Sequence, residues 1–111
     1  MYQQGDVIVV PFPFTDLSSV KIRPAIIISN NEKIKDTGDL IIVMITTKPK
    51  LDGINILIEK QDVSIALPSE SYVRCHRVAT IDIKIIQKKI SEISSSLKSK
   101  ILASVVSFIE E

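Results

Sequence analysis

The chain has 111 residues, 45% of them hydrophobic and 24% charged, which predicts a single domain over residues 1–111 with a core of its own. Fourteen Lys plus Arg stand against thirteen Asp plus Glu, so no global field draws nucleic acid, and an anionic ligand has to be met by a local cluster. One thiol, Cys75, excludes a disulfide framework and a thioredoxin-like redox pair, and no run nears the ~20 apolar residues of a membrane span.

Residues 6–12 (DVIVVPF) predict a first strand, opened by Gly5 and closed by Pro11 and Pro13. Proline removes a ladder donor, so the far end of this strand is expected at an edge or a bulge. A polar loop over 13–22 carries Thr15, Asp16, Ser18 and Ser19. The unbroken apolar run of 24–29 (PAIIIS) reads as a strand buried on both faces. Asn30, Asn31, Asp36 and Gly38 mark a turn-rich loop before a third strand at 39–46 (DLIIVMIT). Strand 54–59 alternates weakly and precedes a short strand-like segment at 63–67. Residues 71–81 (SYVRCHRVATI) alternate well, with Val73 and Cys75 on one face and Tyr72, Arg74 and His76 on the other. A single helical turn is expected at 82–86 and a last strand at 88–93.

The period then changes. Leu97, Ile101, Leu102, Val105, Phe108 and Ile109 recur at three- and four-residue spacing, which predicts an amphipathic helix capped by Ser94 or Ser95. Lys98 and Lys100 near its start and Glu110 and Glu111 at its end oppose the helix dipole, so packing on the sheet must hold it. Short strands followed by one helix indicate a mainly β domain, a small half-open β-barrel with a C-terminal helix.

Absences exclude several chemistries. His76 is the one histidine, with no second His or Cys at metal-ligand spacing, so no metal is expected. There is neither a G-x-S-x-G elbow nor a glycine-rich phosphate loop, and no cofactor is implied. What remains is an uneven distribution of cations and hydroxyls. Arg23 stands between a polar loop and a buried strand, braced by Pro24, and a guanidinium fork matches phosphate oxygens. Thr46, Thr47 and Lys48 end another apolar strand, where a β domain exposes polar groups from a rigid base. The plainer alternatives are a surface ion pair of Arg23 with Asp16 or Asp39, and ordinary strand-end threonines.

Residues 5–29 (GDVIVVPFPFTDLSSVKIRPAIIIS) resemble the opening of the MazF/PemK family of toxin ribonucleases, in which a Gly-Asp-Val start, a polar loop and an Arg-Pro before an apolar strand recur together. The likeness continues through 41–48 (IIVMITTK), 71–86 (SYVRCHRVATIDIKII) and KKISEI followed by a helix, which covers nearly the whole chain in order. The resemblance implies an SH3-like barrel that forms a homodimer and cuts single-stranded RNA at a short sequence without a metal. Its catalytic Arg and Thr fall on Arg23 and Thr46. Its partner is an antitoxin whose disordered acidic tail fills the RNA groove, and operator DNA is reached only through that complex. A cytoplasmic location is expected, since MYQQGD lacks an export signal and no membrane contact is implied.

In metal-free cleavage the substrate's own 2′-OH attacks the adjacent phosphate and yields a 2′,3′-cyclic phosphate. Arg23 is suited to stabilise charge on phosphorus rather than to act as an acid, and Thr46 to bond the phosphate or orient the 2′-OH. No ordinary general base is apparent. Thr47, Lys48, Ser71 and Arg74 are candidates for holding RNA, with Phe14 or Tyr72 as a stacking platform, a contact worth about 1–3 kcal/mol. Phe14 alternatively plugs the barrel end. Cys75-His76-Arg77 departs from the family, whose members often carry an acidic residue at His76 and Gln or Lys at Arg77. Imidazole and guanidinium there make the groove more positive, so a different cleavage motif is expected. Cys75 itself is expected to face inward. The alternative is a non-catalytic binder on the same barrel, as in the gyrase-poisoning CcdB toxins.

Overall fold

The computed structural model describes residues 2–13 and 20–111. Ile- and Val-rich runs become strands because branched side chains pack well on a pleated surface. Among the described residues these are β1 (Asp6–Pro13), β2 (Val20–Ile27), β3 (Asp39–Thr46), β4 (Asn55–Ile58), β5 (Ser71–Asp82) and β6 (Lys88–Glu92). They form one antiparallel sheet in the order β4-β5-β3-β2-β1-β6. Its two ends meet. The chain leaving β4 bridges Val63 to Ile93, just beyond β6, and Ser64 N–H donates to the Glu92 carbonyl at 2.9 Å. Ser94 N–H donates to the Asp62 carbonyl at 2.7 Å on the same seam. The sheet is thus curled into the expected half-open barrel, closed along a short stretch only.

Curling buries both faces. Val7, Ile26, Val43, Ile45 and Val73 enter one apolar cluster, while Ile8, Val10, Ala25, Ile27 and Ile42 enter a second. Ala25, Ile26 and Ile27 are fully buried and Ile28 nearly so, as an unbroken apolar strand requires. Beyond Val9, β1 pairs with β2 alone, so Pro11 and Pro13 lie on an edge as expected.

Helix α2 (Ser95–Ser107) lays Leu97, Ile101 and Val105 on the first cluster, one residue per turn, and Ser94 Oγ accepts from Leu97 N–H at 3.1 Å. Phe108 and Ile109 belong to the predicted stripe but lie past the helix end, exposed.

Three expectations change. β2 begins at Val20, inside the expected loop, because Val20, Lys21 and Ile22 pair with Pro13, Phe12 and Pro11. Residues 30–38 hold a helix, α1 (Asn31–Thr37), in place of a loop: Asn30 Oδ1 caps Lys33 N–H at 2.9 Å, and Gly38 closes it at φ 73°, a left-handed conformation that costs glycine nothing. Residues 63–67 form a single bridge instead of a strand, while the turn at Ile83–Ile85 stands as a 3₁₀ helix. Among the described residues no helix is long and apolar enough to cross a membrane.

Candidate functional site

The β2–β3 ladder pairs Ala25 with Met44, and the same register continued by two residues sets Arg23 opposite Thr46. Strand periodicity puts Arg23 on the face of Ala25 and Thr46 on the face of Met44, which is one and the same face. Pro24 restricts the residue before it to extended backbone, so Arg23 leaves the strand in a set direction. Among the described residues its guanidinium has no hydrogen-bond or ion-pair partner; the alternative pairing with Asp39 is not formed, and Asp16 lies outside the described residues. Thr46 Oγ1 accepts from Lys48 N–H at 3.1 Å, a turn that restrains the hydroxyl.

These groups share a cleft of about 310 Å³. Arg23, Thr46, Thr47 and Lys48 line it with Lys50, Arg74 and Arg77, over Met44, and its described lining contains no carboxylate. Cations are thus concentrated around two hydroxyls in a chain whose overall charge is near neutral.

The Cys75-His76-Arg77 segment has a geometric meaning that alternation alone does not show. On β5, Val78 pairs with Val43 and Arg74 with Met44, so three residues of β5 face no residue of β3. The odd number turns the strand over: Val73 and Cys75 enter the first apolar cluster, Ala79 and Ile81 the second. Arg77 is thereby brought to the cleft, while His76 is not among its lining residues. Instead the imidazole lies 5.5 Å, centroid to centroid, from the Phe108 ring, with Nε2 3.4 Å from Arg74 Nη2. Its Nδ1 is buried without a hydrogen-bond partner.

Arg74 lines the cleft, yet its guanidinium is already engaged. It is 3% exposed, and its fork is engaged: Nη1 and Nη2 donate to Asp52 Oδ1 and Oδ2 at 2.8 and 2.9 Å, and Nη1 to Asn55 Oδ1 at 2.9 Å. Those bonds, with one from Ile54 N–H, hold the Asp52 carboxyl well below the usual carboxylate range. Ser71 is away from the cleft, buried, its hydroxyl donating to the Ser69 carbonyl, beside a separate hollow of about 430 Å³ formed with Leu57, Glu59 and Leu67. Tyr72 pairs with Thr46 across the strands but gives its hydroxyl to Glu70 Oε1 at 2.6 Å. Cys75 is fully buried as expected, and burial raises its thiol pKa, which keeps it protonated and inert. Phe14 lies outside the described residues. Lys50, Asp52 and Asn55 were missed from sequence; the alternation of Lys48 and Lys50 around Pro49 was the available signal.

Burial, then the charges of Arg74 and Arg77, push the His76 pKa below 6.5, with Lys50 adding to the effect and Asp52 opposing it. The fold therefore favours neutral imidazole. This contribution to stability is complete above the unfolded value and is lost as pH falls through the lower folded one. Between about pH 7.5 and 5, Tm of the wild type is expected to fall more steeply than that of His76→Gln; parallel profiles would contradict this.

A curled β-sheet carrying a cleft lined by guanidinium, ammonium and hydroxyl groups defines a small barrel protein with a cation-lined cleft. The family model for PemK-like, MazF-like toxins of type II toxin–antitoxin systems matches residues 3–109, and the chain belongs to that family. Among solved structures it is similar to a mycobacterial endoribonuclease in complex with its cognate antitoxin (TM-score 0.77, 19% identity, 96% of this chain and 93% of that one). It is also similar to MazF of Deinococcus radiodurans (TM-score 0.81, 14% identity, 99% and 97%) and to the Mycobacterium tuberculosis toxin MazF-mt6 (TM-score 0.67, 17% identity, 91% and 93%). At such identities these likenesses establish the fold. No curated protein matches the chain.

Proposed function

We propose that residues 1–111 act as one toxin domain, an endoribonuclease that cleaves single-stranded RNA by attack of a 2′-OH on its neighbouring phosphate. The observation that carries this reading is the convergence of Arg23, Thr46, Thr47, Lys48, Lys50 and Arg77 on one cleft without a carboxylate among its described lining residues. The 2′-oxygen forms a bond to phosphorus and loses its proton. The bond from phosphorus to the 5′-oxygen breaks, and that oxygen gains a proton, leaving a 2′,3′-cyclic phosphate and a 5′-hydroxyl end. The Arg23 guanidinium stabilises the extra negative charge on the phosphoryl oxygens. Thr46, fixed by Lys48 N–H, hydrogen-bonds the phosphate or the attacking hydroxyl. Lys48, Lys50 and Arg77 hold flanking phosphates, and Thr47 sits among them.

A single cleft of this size is short for several nucleotides, which supports a two-fold dimer that joins two clefts into a longer groove. The same positive lining suits the acidic tail of an antitoxin, which would compete with RNA for it.

Cleavage mapping by primer extension on cellular RNA tests the reading. Discrete cuts bearing 5′-hydroxyl ends are expected, unchanged by EDTA, and a 2′-deoxy sugar on the 5′ side of the cut should abolish cleavage there. Equal cutting of the deoxy substrate, or no discrete sites, would overturn it.

A further inference from the structure

We infer that Arg74 is a positioning residue: from its buried place on β5 it clamps the loop between β3 and β4 so that Lys48 and Lys50 face the cleft. The inference rests on the reading of that cleft as an RNA site. Residues 47–53 are exposed throughout, Leu51 entirely so, and apolar packing does not order them. The described side-chain contacts of the loop are polar, and those that tie it to the sheet at Asp52 and Asn55 run through one guanidinium. Its fork takes both Asp52 oxygens and Asn55 Oδ1. Asn55 Nδ2 in turn donates to the Lys50 carbonyl, and Asp52 Oδ1 accepts from Ile54 N–H at 3.1 Å. At the other end, Lys48 N–H is tied to Thr46 Oγ1.

The root of the clamp is rigid. Arg74 pairs with Met44 of β3 on one side and with Asn55 of β4 on the other, so its backbone is held from both. A bidentate fork fixes orientation as well as distance, which a point charge does not. Lys48 and Lys50, two residues apart on the clamped stretch, both line the cleft.

The clamp and simple electrostatics predict opposite signs at Asp52. Removing a negative charge beside a cation-rich cleft should tighten RNA binding if Arg74 contacts RNA itself, because its guanidinium is then released. If Arg74 acts through the loop, the same change weakens binding. The test uses Asp52→Asn, in the wild type and in a Lys48→Ala/Lys50→Ala background. Binding is read on mixed-sequence single-stranded RNA with 2′-fluoro sugars, which lack the nucleophile, and amide hydrogen exchange is read over residues 47–54. Arg74→Lys, which keeps a charge and loses the fork, is the second variant.

Both Asp52→Asn and Arg74→Lys are expected to speed exchange in the loop while β1 and β2 keep theirs. Affinity should fall about five- to tenfold, with the salt dependence shallower by about one phosphate contact. In the Lys48→Ala/Lys50→Ala background Asp52→Asn should change affinity by less than about twofold, since the positioned groups are gone. Unchanged exchange, equal or tighter binding by Asp52→Asn, or an equal loss in both backgrounds would overturn the clamp. If the loop loosens as expected but the wild type binds no RNA, the RNA reading of the cleft falls and the loop clamp stands.

Discussion

Arg23→Ala is expected to lower the rate of RNA cleavage by about 10²–10³-fold, the loss seen when one preorganised donor to a developing oxyanion is removed. The size follows from placement. Arg23 is half-buried in the middle of β2, on the same cleft as Thr46, and its guanidinium has no partner among the described residues that would have to be broken before it meets a phosphate. Its charge is therefore available at the transition state without reorganisation. Most of the loss should fall on kcat, because lysines and Arg77 elsewhere in the cleft still hold the strand. Arg23→Lys should recover part of the rate, since it restores charge but not the planar fork. Stability should change by no more than about 0.5 kcal/mol, as no core contact is lost. Single-turnover cleavage alongside thermal melting checks both halves, and a rate within threefold of wild type would remove Arg23 from the chemistry.

Ile101→Ala should act on the other half of the molecule. Ile101 is fully buried at the middle of α2 and joins Val7, Ile26, Val43 and Val73 in one cluster. Truncation at such a site costs about 2–5 kcal/mol, the lost transfer free energy plus that of the cavity left behind. Against a total stability of about 5–15 kcal/mol this is a large fraction, and Tm should fall by on the order of 10 °C. The helix has no compensating source of order: Lys98 and Lys100 stand near its positive end, and among its described residues its last turn carries no base. Val106→Ala, on the exposed side of the same helix, should stay within about 0.5 kcal/mol. Urea titration of both variants reads the contrast. A loss below about 1 kcal/mol for Ile101→Ala would mean that the helix does not depend on the sheet.

The helix α1 shows why part of the architecture escaped a reading by pattern. Ile34 is its one buried residue among the described ones, so almost no apolar period marks it; the signals present, Asn30 before it and Gly38 after it, are turn signals as well as caps. β2 begins earlier than its apolar pattern indicates for a related reason. In the sequence Val20-Lys21-Ile22 is a short segment behind Ser18 and Ser19, a residue type common in turns, and only its pairing with β1 makes it a strand.

The amino-acid sequence by itself determined the order of most strands, the doubly buried run at Ala25–Ile28, the terminal helix with its serine cap, and Thr46 as a polar group at a strand end. All of these are local, written in periods of two or of three to four residues and in the residues that interrupt them. The tertiary structure alone decided that Arg23 and Thr46 line one cleft, that Arg74 is committed to Asp52 and Asn55 while Lys50 joins the cleft, and that His76 turns towards Phe108. Each of these depends on register between strands distant in the chain, above all on the three unpaired residues of β5. An odd slip there exchanges the faces of every residue that follows, and no local period records it.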